Sequence, residues 1–289
     1  MSRCILVTGC SSGIGYAMAR EFHRQGHIVY ATARRPETLA SLAAEGLRTL
    51  ALDVTDDESL AQAMAVVARE QGRLDVLVNN AGFSQVGAIT DLTRSDLQKQ
   101  YDTNVIAPVA VTRAALPLLR AAVAHKDSGG RAVLVNIGSI VGILTTPFAG
   151  AYCSSKAALH SLSDALRMEL APFGIKVVTV QPGGVKSSFG DHAEAALRLP
   201  DDSIFKSVEK NVHARAQAGQ VGATTAEEFV VPIVAAILSN DPPIVIRGGH
   251  NSFMLPLLKR WLPVRLFDAK MSKIFGLDLL KSNLKGESS

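Results

Sequence analysis

The sequence predicts an α/β fold: a doubly wound parallel sheet with helices on both faces and a helical extension at the C-terminus. Three observations carry this. Runs such as residues 74–79 (LDVLVN) and 131–137 (RAVLVNI) are apolar on consecutive positions, as strands buried on both faces are. Between the runs lie segments of helical periodicity, long enough for right-handed βαβ crossovers. The residues with chemical potential fall just after the runs, at the carboxyl ends where such a sheet binds ligands.

Taken in order, residues 4–8 read as a first buried strand and 13–25 as a helix. Residues 27–33, rich in Ile, Val and Tyr, read as a strand and 38–45 as a helix. Residues 48–53 give a third strand, 58–71 a helix and 74–79 a fourth strand. A long helical region covers 95–124, followed by a fifth strand at 131–137, a helix at 152–172 and a sixth strand at 176–181. Residues 227–238 are helical and 243–246 give a seventh strand, while 183–225 are the least regular part. The uncharged stretch 132–155 is long enough to span a bilayer, but Asn136, Gly138, Ser139, Thr145, Thr146, Pro147 and Tyr152 mark it as strand, loop and helix start.

The chain has 289 residues, 47 % hydrophobic and 19 % charged, which excludes disorder as its main state. Residues 253–289 hold seven basic and three acidic side chains and so account for the whole net charge of +4; residues 1–252 hold 23 of each sign. A basic nucleic-acid surface over the body is thereby excluded. Cys4, Cys10 and Cys153 cannot build a disulfide framework or a zinc cluster, so a reducing, cytoplasmic compartment is expected. No signal peptide is expected, because Arg3 runs directly into the first strand. His23, His27, His125, His160, His192, His213 and His250 lack ligand-like spacing, so no metal site is expected.

The first strand ends in Thr8-Gly9-Cys10-Ser11-Ser12-Gly13-Ile14-Gly15. Its glycines permit a sharp turn and close approach to a pyrophosphate, at which the next helix aims its free N–H groups. This is the dinucleotide-binding turn of a Rossmann fold. The second strand ends at Arg34-Arg35, with no carboxylate before Glu37. A carboxylate there would accept bonds from the ribose hydroxyls, whereas an arginine pairs with a 2′-phosphate. NADP(H) is therefore expected as cofactor in preference to NAD(H), with Arg34 the main contact and Arg35 secondary. The competing reading makes both arginines solvated charges at a helix start.

Tyr152 and Lys156 lie four residues apart, on one face of a helix. An ammonium near a phenol lowers the phenol's pKa, and such a tyrosine can exchange a proton with a carbonyl or alcohol oxygen. Ser139, just past the fifth strand, can hydrogen-bond the same oxygen. Thr8-Gly-x-x-x-Gly-x-Gly15, Asn79-Asn80-Ala81-Gly82, Asn104, Gly138-Ser139, Tyr152-x-x-x-Lys156 and Pro182-Gly183 occur in this order. In this the chain resembles the short-chain dehydrogenase/reductase family, motif by motif over residues 3–188 and by strand–helix rhythm to about 249.

The resemblance implies that Asn104, Ser139, Tyr152 and Lys156 are catalytic. It implies that Lys156 also holds the nicotinamide ribose, and that Asn104 anchors a water beside it. It implies cofactor contacts from Asp53 and Val54, from Asn80, Ala81 and Gly82, and from Pro182, Gly183, Val185 and Ser187. The competing reading of Asp53 or Thr55 is a helix N-cap. Cys153 reads as packing, since helix neighbours point about 100° apart. The resemblance also makes residues 184–225 the substrate lid, whose mixed apolar and charged residues suit a lipophilic carbonyl or alcohol.

The tail, residues 253–289, repeats apolar residues at 254, 257, 258, 261 and 262 and at 264, 267, 271, 274 and 275, as two short amphipathic helices would. It either packs on the body or a partner subunit beside the substrate entrance, rests on an anionic membrane surface, or is a solvated extension. Lid and tail together resemble the 17-beta-hydroxysteroid and retinol dehydrogenase branch of the family. The expectation is one catalytic domain over 1–252, assembled as a homodimer or homotetramer on the helices around 98–124 and 152–171. It would interconvert a ketone or aldehyde and its alcohol by hydride transfer. A catalytically silent cofactor-binding regulator is the rival, and the presence of both Tyr152 and Lys156 speaks against it.

Overall fold

The computed structural model describes residues 2–125 and 130–280, so residues 281–289 of the predicted tail lie outside it. Strand β1 (Cys4–Val7) leads through the glycine turn into α1 (Gly13–Arg24) and back to β2 (Ile28–Ala33). The chain continues through α2 (Ala40–Ala44), β3 (Arg48–Ala51), α3 (Asp57–Gln71), β4 (Val76–Asn79), α4 (Arg94–Tyr101), α5 (Ala107–Ala124) and β5 (Ala132–Ile137). Then come α6 (Gly150–Leu170), β6 (Ile175–Pro182), α7 (Phe189–Ala196), α8 (Glu209–Gln217), α9 (Ala226–Leu238), β7 (Val245–Gly248), α10 (Met254–Trp261) and α11 (Val264–Ile274). The seven strands form one parallel sheet in the order β3-β2-β1-β4-β5-β6-β7. Connections leave in opposite directions on either side of β1 and β4, which opens a crevice at their carboxyl ends.

The consecutive apolar residues of the strands serve two cores. Ile5, Val7 and Val78 face α1 and α9, meeting Phe22, Phe229 and Ile233. Leu6, Leu77 and Leu134 face the other way, onto Met64 of α3 and Val111 and Leu119 of α5. The uncharged stretch 132–155 is strand, loop and the start of α6.

The structure departs from the sequence reading in three places. The seventh strand begins at Val245, because Pro242 and Pro243 have no N–H to donate to a ladder. The long helical region is interrupted by a π-helical turn at Asp102–Ile106, across which the Ala107 N–H reaches back to the Asp102 carbonyl. Pro108 explains it: lacking an N–H, it deprives the Asn104 carbonyl of its α-helical donor. Third, the irregular region contains α7 and α8. Helices this short depend on tertiary packing, here of Ala193, Leu197, Val212 and Ala216 against Val86, Ala88 and Phe148.

The tail packs on the body through α11. Phe267 and Met271 are buried against Leu144 of the loop between β5 and α6, and Phe275 joins the same cluster. The expected apolar stripe of α10 does not turn inward: Met254, Leu257 and Trp261 are each more than half exposed, and Pro256 is the buried residue of that helix. Phe267→Ala should remove about 3 kcal/mol of packing. Amide exchange of α11 is then expected to accelerate while that of β1, β4 and β5 stays slow; unchanged protection in α11 would contradict the docking.

Candidate active site

The glycine turn is shaped by its neighbours across the switch point. Gly9 has φ +71°, and a Cβ there would sit 2.8 Å from the Ala81 Cα. A Cβ on Gly15 would overlap the Asn80 amide and the Gly9 carbonyl. Thr8 Oγ1 accepts from the N–H groups of Asn80 (2.9 Å) and Ala81 (3.0 Å). Asn80 Nδ2 donates to the carbonyls of Thr8 (2.8 Å) and Gly9 (3.0 Å). The Asn80 amide nitrogen thus locks the end of β4 to the turn. Ser12 begins α1 without a side-chain cap, and the first turn holds no acidic residue. That end of α1, with Ser11, Ser12, Gly13, Ile14 and Gly15 around it, keeps its N–H groups and positive dipole end for an anion, and so fits a pyrophosphate.

Arg34 and Arg35 are exposed at the carboxyl end of β2, where Arg35 lies 4.0 Å from Glu37. The Asp53 carboxylate accepts from the backbone N–H (2.9 Å) and hydroxyl (2.7 Å) of Thr55. Although burial opposes it, those bonds and the nearby Arg34 hold its pKa below the usual carboxylate value. The cap of α3 is Asp56, not Asp53 or Thr55. Val54 and Val185 place their side chains in the two cores, so only their backbones remain for a cofactor. Pro182 and Gly183 end β6, where Gly183 donates to the Gly248 carbonyl (2.8 Å). Ser187 lies directly over Gly13. Lys186, which the sequence reading passed over, lines a cleft of about 330 Å³ with Gly13, Ser187 and Ser188.

Helix α6 carries the reactive side chains at one-turn intervals. Tyr152 is in its first turn, Lys156 in the second and His160 in the third. The Ser139 hydroxyl lies near the Tyr152 phenol and favours its ionised form, against the larger effect of burial. Lys156 Nζ donates to the Ile137 carbonyl at 2.7 Å and lies 5.8 Å from the centre of the Tyr152 ring. Burial drives both groups towards their neutral forms, with the phenol pushed up to about 12 and the ammonium down to about 8. The Phe189 ring lies 5.6 Å from that of Tyr152, which remains partly exposed, while the ammonium is turned towards a strand carbonyl. A phenol that keeps its proton at neutral pH is poised to donate it.

Asn104 is buried, and its side chain exchanges two hydrogen bonds with the backbone of Phe83 (3.1 and 2.9 Å) and donates to Ser155 (3.2 Å). The amide thus braces the loop after β4 against α6, and its backbone carbonyl is the group left without an α-helical donor by Pro108.

Three further residues escaped the sequence reading. The His160 ring fills the space where a Cβ on Gly138 or Gly142 would sit, and its Nε2 accepts from the Ser139 N–H at 3.4 Å. Burial, with help from Lys156, lowers its pKa to about 4, so it remains a neutral acceptor. Phe148 adopts φ +62°, rare for a bulky residue, with its carbonyl held by the Gly87 N–H at 2.9 Å. Arg215, on α8, reaches the neighbourhood of Tyr152 from the lid. Sequence spacing holds a clue only for His160, one turn beyond Lys156.

Sheet, crevice and the Ser139–Tyr152–Lys156 cluster together define an oxidoreductase of Rossmann type. The chain belongs to the short chain dehydrogenase family, which matches residues 3–197. It is 41 % identical over 269 residues to a 3-ketodihydrosphingosine reductase of Bacteroides thetaiotaomicron, covering 90 % of this chain and 93 % of that one. It is 37 % identical over 213 residues to an NADPH-dependent 1-acyldihydroxyacetone phosphate reductase of Schizosaccharomyces pombe, covering 71 % and 69 %. The solved structure of a short-chain dehydrogenase from Streptomyces avermitilis superposes with a TM-score of 0.77 at 33 % identity, covering 95 % of this chain and 97 % of the other. These similarities establish the family, not its hydroxysteroid and retinol branch.

Tyr152→Phe should preserve the fold and cofactor binding while turnover falls about 10²- to 10⁴-fold, the usual contribution of a positioned acid–base group. Retained turnover with intact binding would remove Tyr152 from the chemistry.

Proposed function

We propose that the protein is an NADP(H)-dependent oxidoreductase that reduces a lipophilic ketone or aldehyde to its alcohol and catalyses the reverse reaction. The carrying observation is the protonated Tyr152 phenol beside Ser139, at the carboxyl end of β5 and next to a glycine turn suited to a pyrophosphate. When bound, the nicotinamide supplies or accepts the hydride. Tyr152 gives its proton to the carbonyl oxygen as charge develops there, and Ser139 steadies the same oxygen. Lys156 stands one helical turn away, as a cation for the phenolate left behind. In the oxidative direction the phenolate takes the proton back.

Preference for the phosphorylated cofactor rests on Arg34, on the absence of a carboxylate at the end of β2, and on similarity to the NADPH-dependent reductase of S. pombe. A lipophilic substrate is supported by the Phe189 ring beside Tyr152 and by the apolar cluster that Phe148 and Phe205 form with the lid helices. Exposed Ile106, Val109, Met168 and Phe173 support assembly as a homodimer or homotetramer through α5 and α6. Exposed Phe253, Met254, Leu257 and Trp261, alongside Lys259, Arg260 and Arg265, support contact of the tail with an anionic bilayer surface.

The test is NADPH consumption over a panel of lipophilic ketones and aldehydes, repeated with NADH. Arg34→Ala should lower the NADPH-to-NADH ratio of kcat/KM by about tenfold, the worth of one charge-assisted hydrogen bond. An unchanged ratio would remove Arg34 from cofactor selection. Vesicles containing phosphatidylserine should co-sediment the protein and Trp261→Glu should weaken this; absence of binding would leave the tail an intramolecular brace.

A further inference from the structure

Arg215 is a cation brought into the active site by the lid, with no anion to meet it. It lies on α8, in the segment that covers Tyr152. Its Nε donates to Thr146 Oγ1 at 2.9 Å, fixing it to the loop that precedes α6. Its guanidinium lies 5.7 Å from the centre of the Phe275 ring, so the docked tail closes over it. Burial lowers its pKa, and Cys153 and Tyr152 are near enough to oppose that effect. Among the described residues no Asp or Glu forms an ion pair with it, whereas its helix neighbour His213 lies 3.9 Å from Glu194.

A half-buried guanidinium without a carboxylate partner loses part of its hydration uncompensated. Two of its nitrogens form a planar fork suited to paired acceptor oxygens, and the hydrogen bond to Thr146 uses only Nε. Phe275 lies against the guanidinium and belongs to one apolar cluster with Phe148, Phe205 and Val212.

We propose that Arg215 binds an anionic group of the substrate, a carboxylate or a phosphate close to the reacting carbonyl. The substrate is then an amphiphile: its anion is held by Arg215, its carbonyl by Tyr152 and Ser139, and its apolar part by the aromatic lining. The proposal rests on carbonyl reduction at this site and adds the substrate's charge. Lid, loop and tail all touch Arg215, so an anion there would also draw the lid shut over the reacting carbonyl.

The experiment compares kcat/KM with NADPH for an alkyl keto acid against its methyl ester, an alkyl keto phosphate against its dephosphorylated form, and an alkyl keto amine. The carboxylate and phosphate arms distinguish the two anion sources. The wild-type protein should favour at least one anion over its neutral counterpart by about tenfold to a hundredfold, the range of a charge-assisted hydrogen bond. Arg215→Leu should collapse that ratio, and Arg215→Lys should restore part of it. If Arg215 only tunes the phenol, Arg215→Leu will depress all substrates equally and shift the pH profile; that result overturns the proposal, as does a wild-type preference for the neutral or amine form. Reduction of neutral ketones without anion preference refutes the anion site and leaves the proposed function standing. Reduction of no carbonyl at all refutes the function itself.

Discussion

Asn79 on β4 donates a hydrogen bond to Asn136 on β5 at 3.0 Å, and Asn136 donates to Ser163 on α6 at 2.9 Å. Asn79 also donates to Thr112 on α5 at 3.2 Å. All four residues are buried. This chain of amides and hydroxyls joins the two central strands to α5 and to α6, the helix that carries the reactive side chains. It fixes α6 in both position and rotation, so Tyr152, Lys156 and His160 face the crevice. Removing one member leaves its partners buried and unpaired, which costs about 1–3 kcal/mol for each group. Apolar packing alone could slide along the helix; a hydrogen bond between named atoms cannot.

The same enclosure governs the electrostatics. Tyr152, Lys156 and His160 are all pushed towards their neutral forms by burial, and the aromatic lid strengthens the effect over Tyr152. Tyr152 is half-buried beside the buried Lys156, and this favours the protonated phenol. The cofactor end is the opposite: Arg34 and Arg35 are exposed, and α1 offers uncapped N–H groups. One crevice therefore combines a solvated phosphate region with a more enclosed reacting centre, where Lys156 is buried.

Much of this was legible in the sequence because it depends on local pattern. Consecutive apolar residues mark strands buried on both faces, and every strand was found within a few residues. The glycine turn and the Tyr152–Lys156 spacing identify their elements directly. Even the π turn has a signal, Pro108 four residues after Asn104. What could not be read depends on contacts between segments distant in sequence. That the Asn80 amide also ties the end of β4 to Thr8 and Gly9 appears only when these segments are placed side by side. The tail's two apolar stripes look alike, yet Phe267 and Met271 find Leu144 while Met254 and Trp261 find solvent. Spacing also cannot convey that Phe189 of the lid lies beside the Tyr152 ring. Arg215, about sixty residues from Tyr152, carries no sequence mark at all.

The central claim is that enclosure makes Tyr152 a proton donor. A tyrosinate absorbance titration of the wild-type protein, with that of Tyr152→Phe subtracted, isolates this one phenol. The account predicts no difference signal through the neutral and mildly alkaline range, with ionisation only towards about 12. A difference signal with a midpoint at or below the ordinary phenol value of about 10 would contradict it.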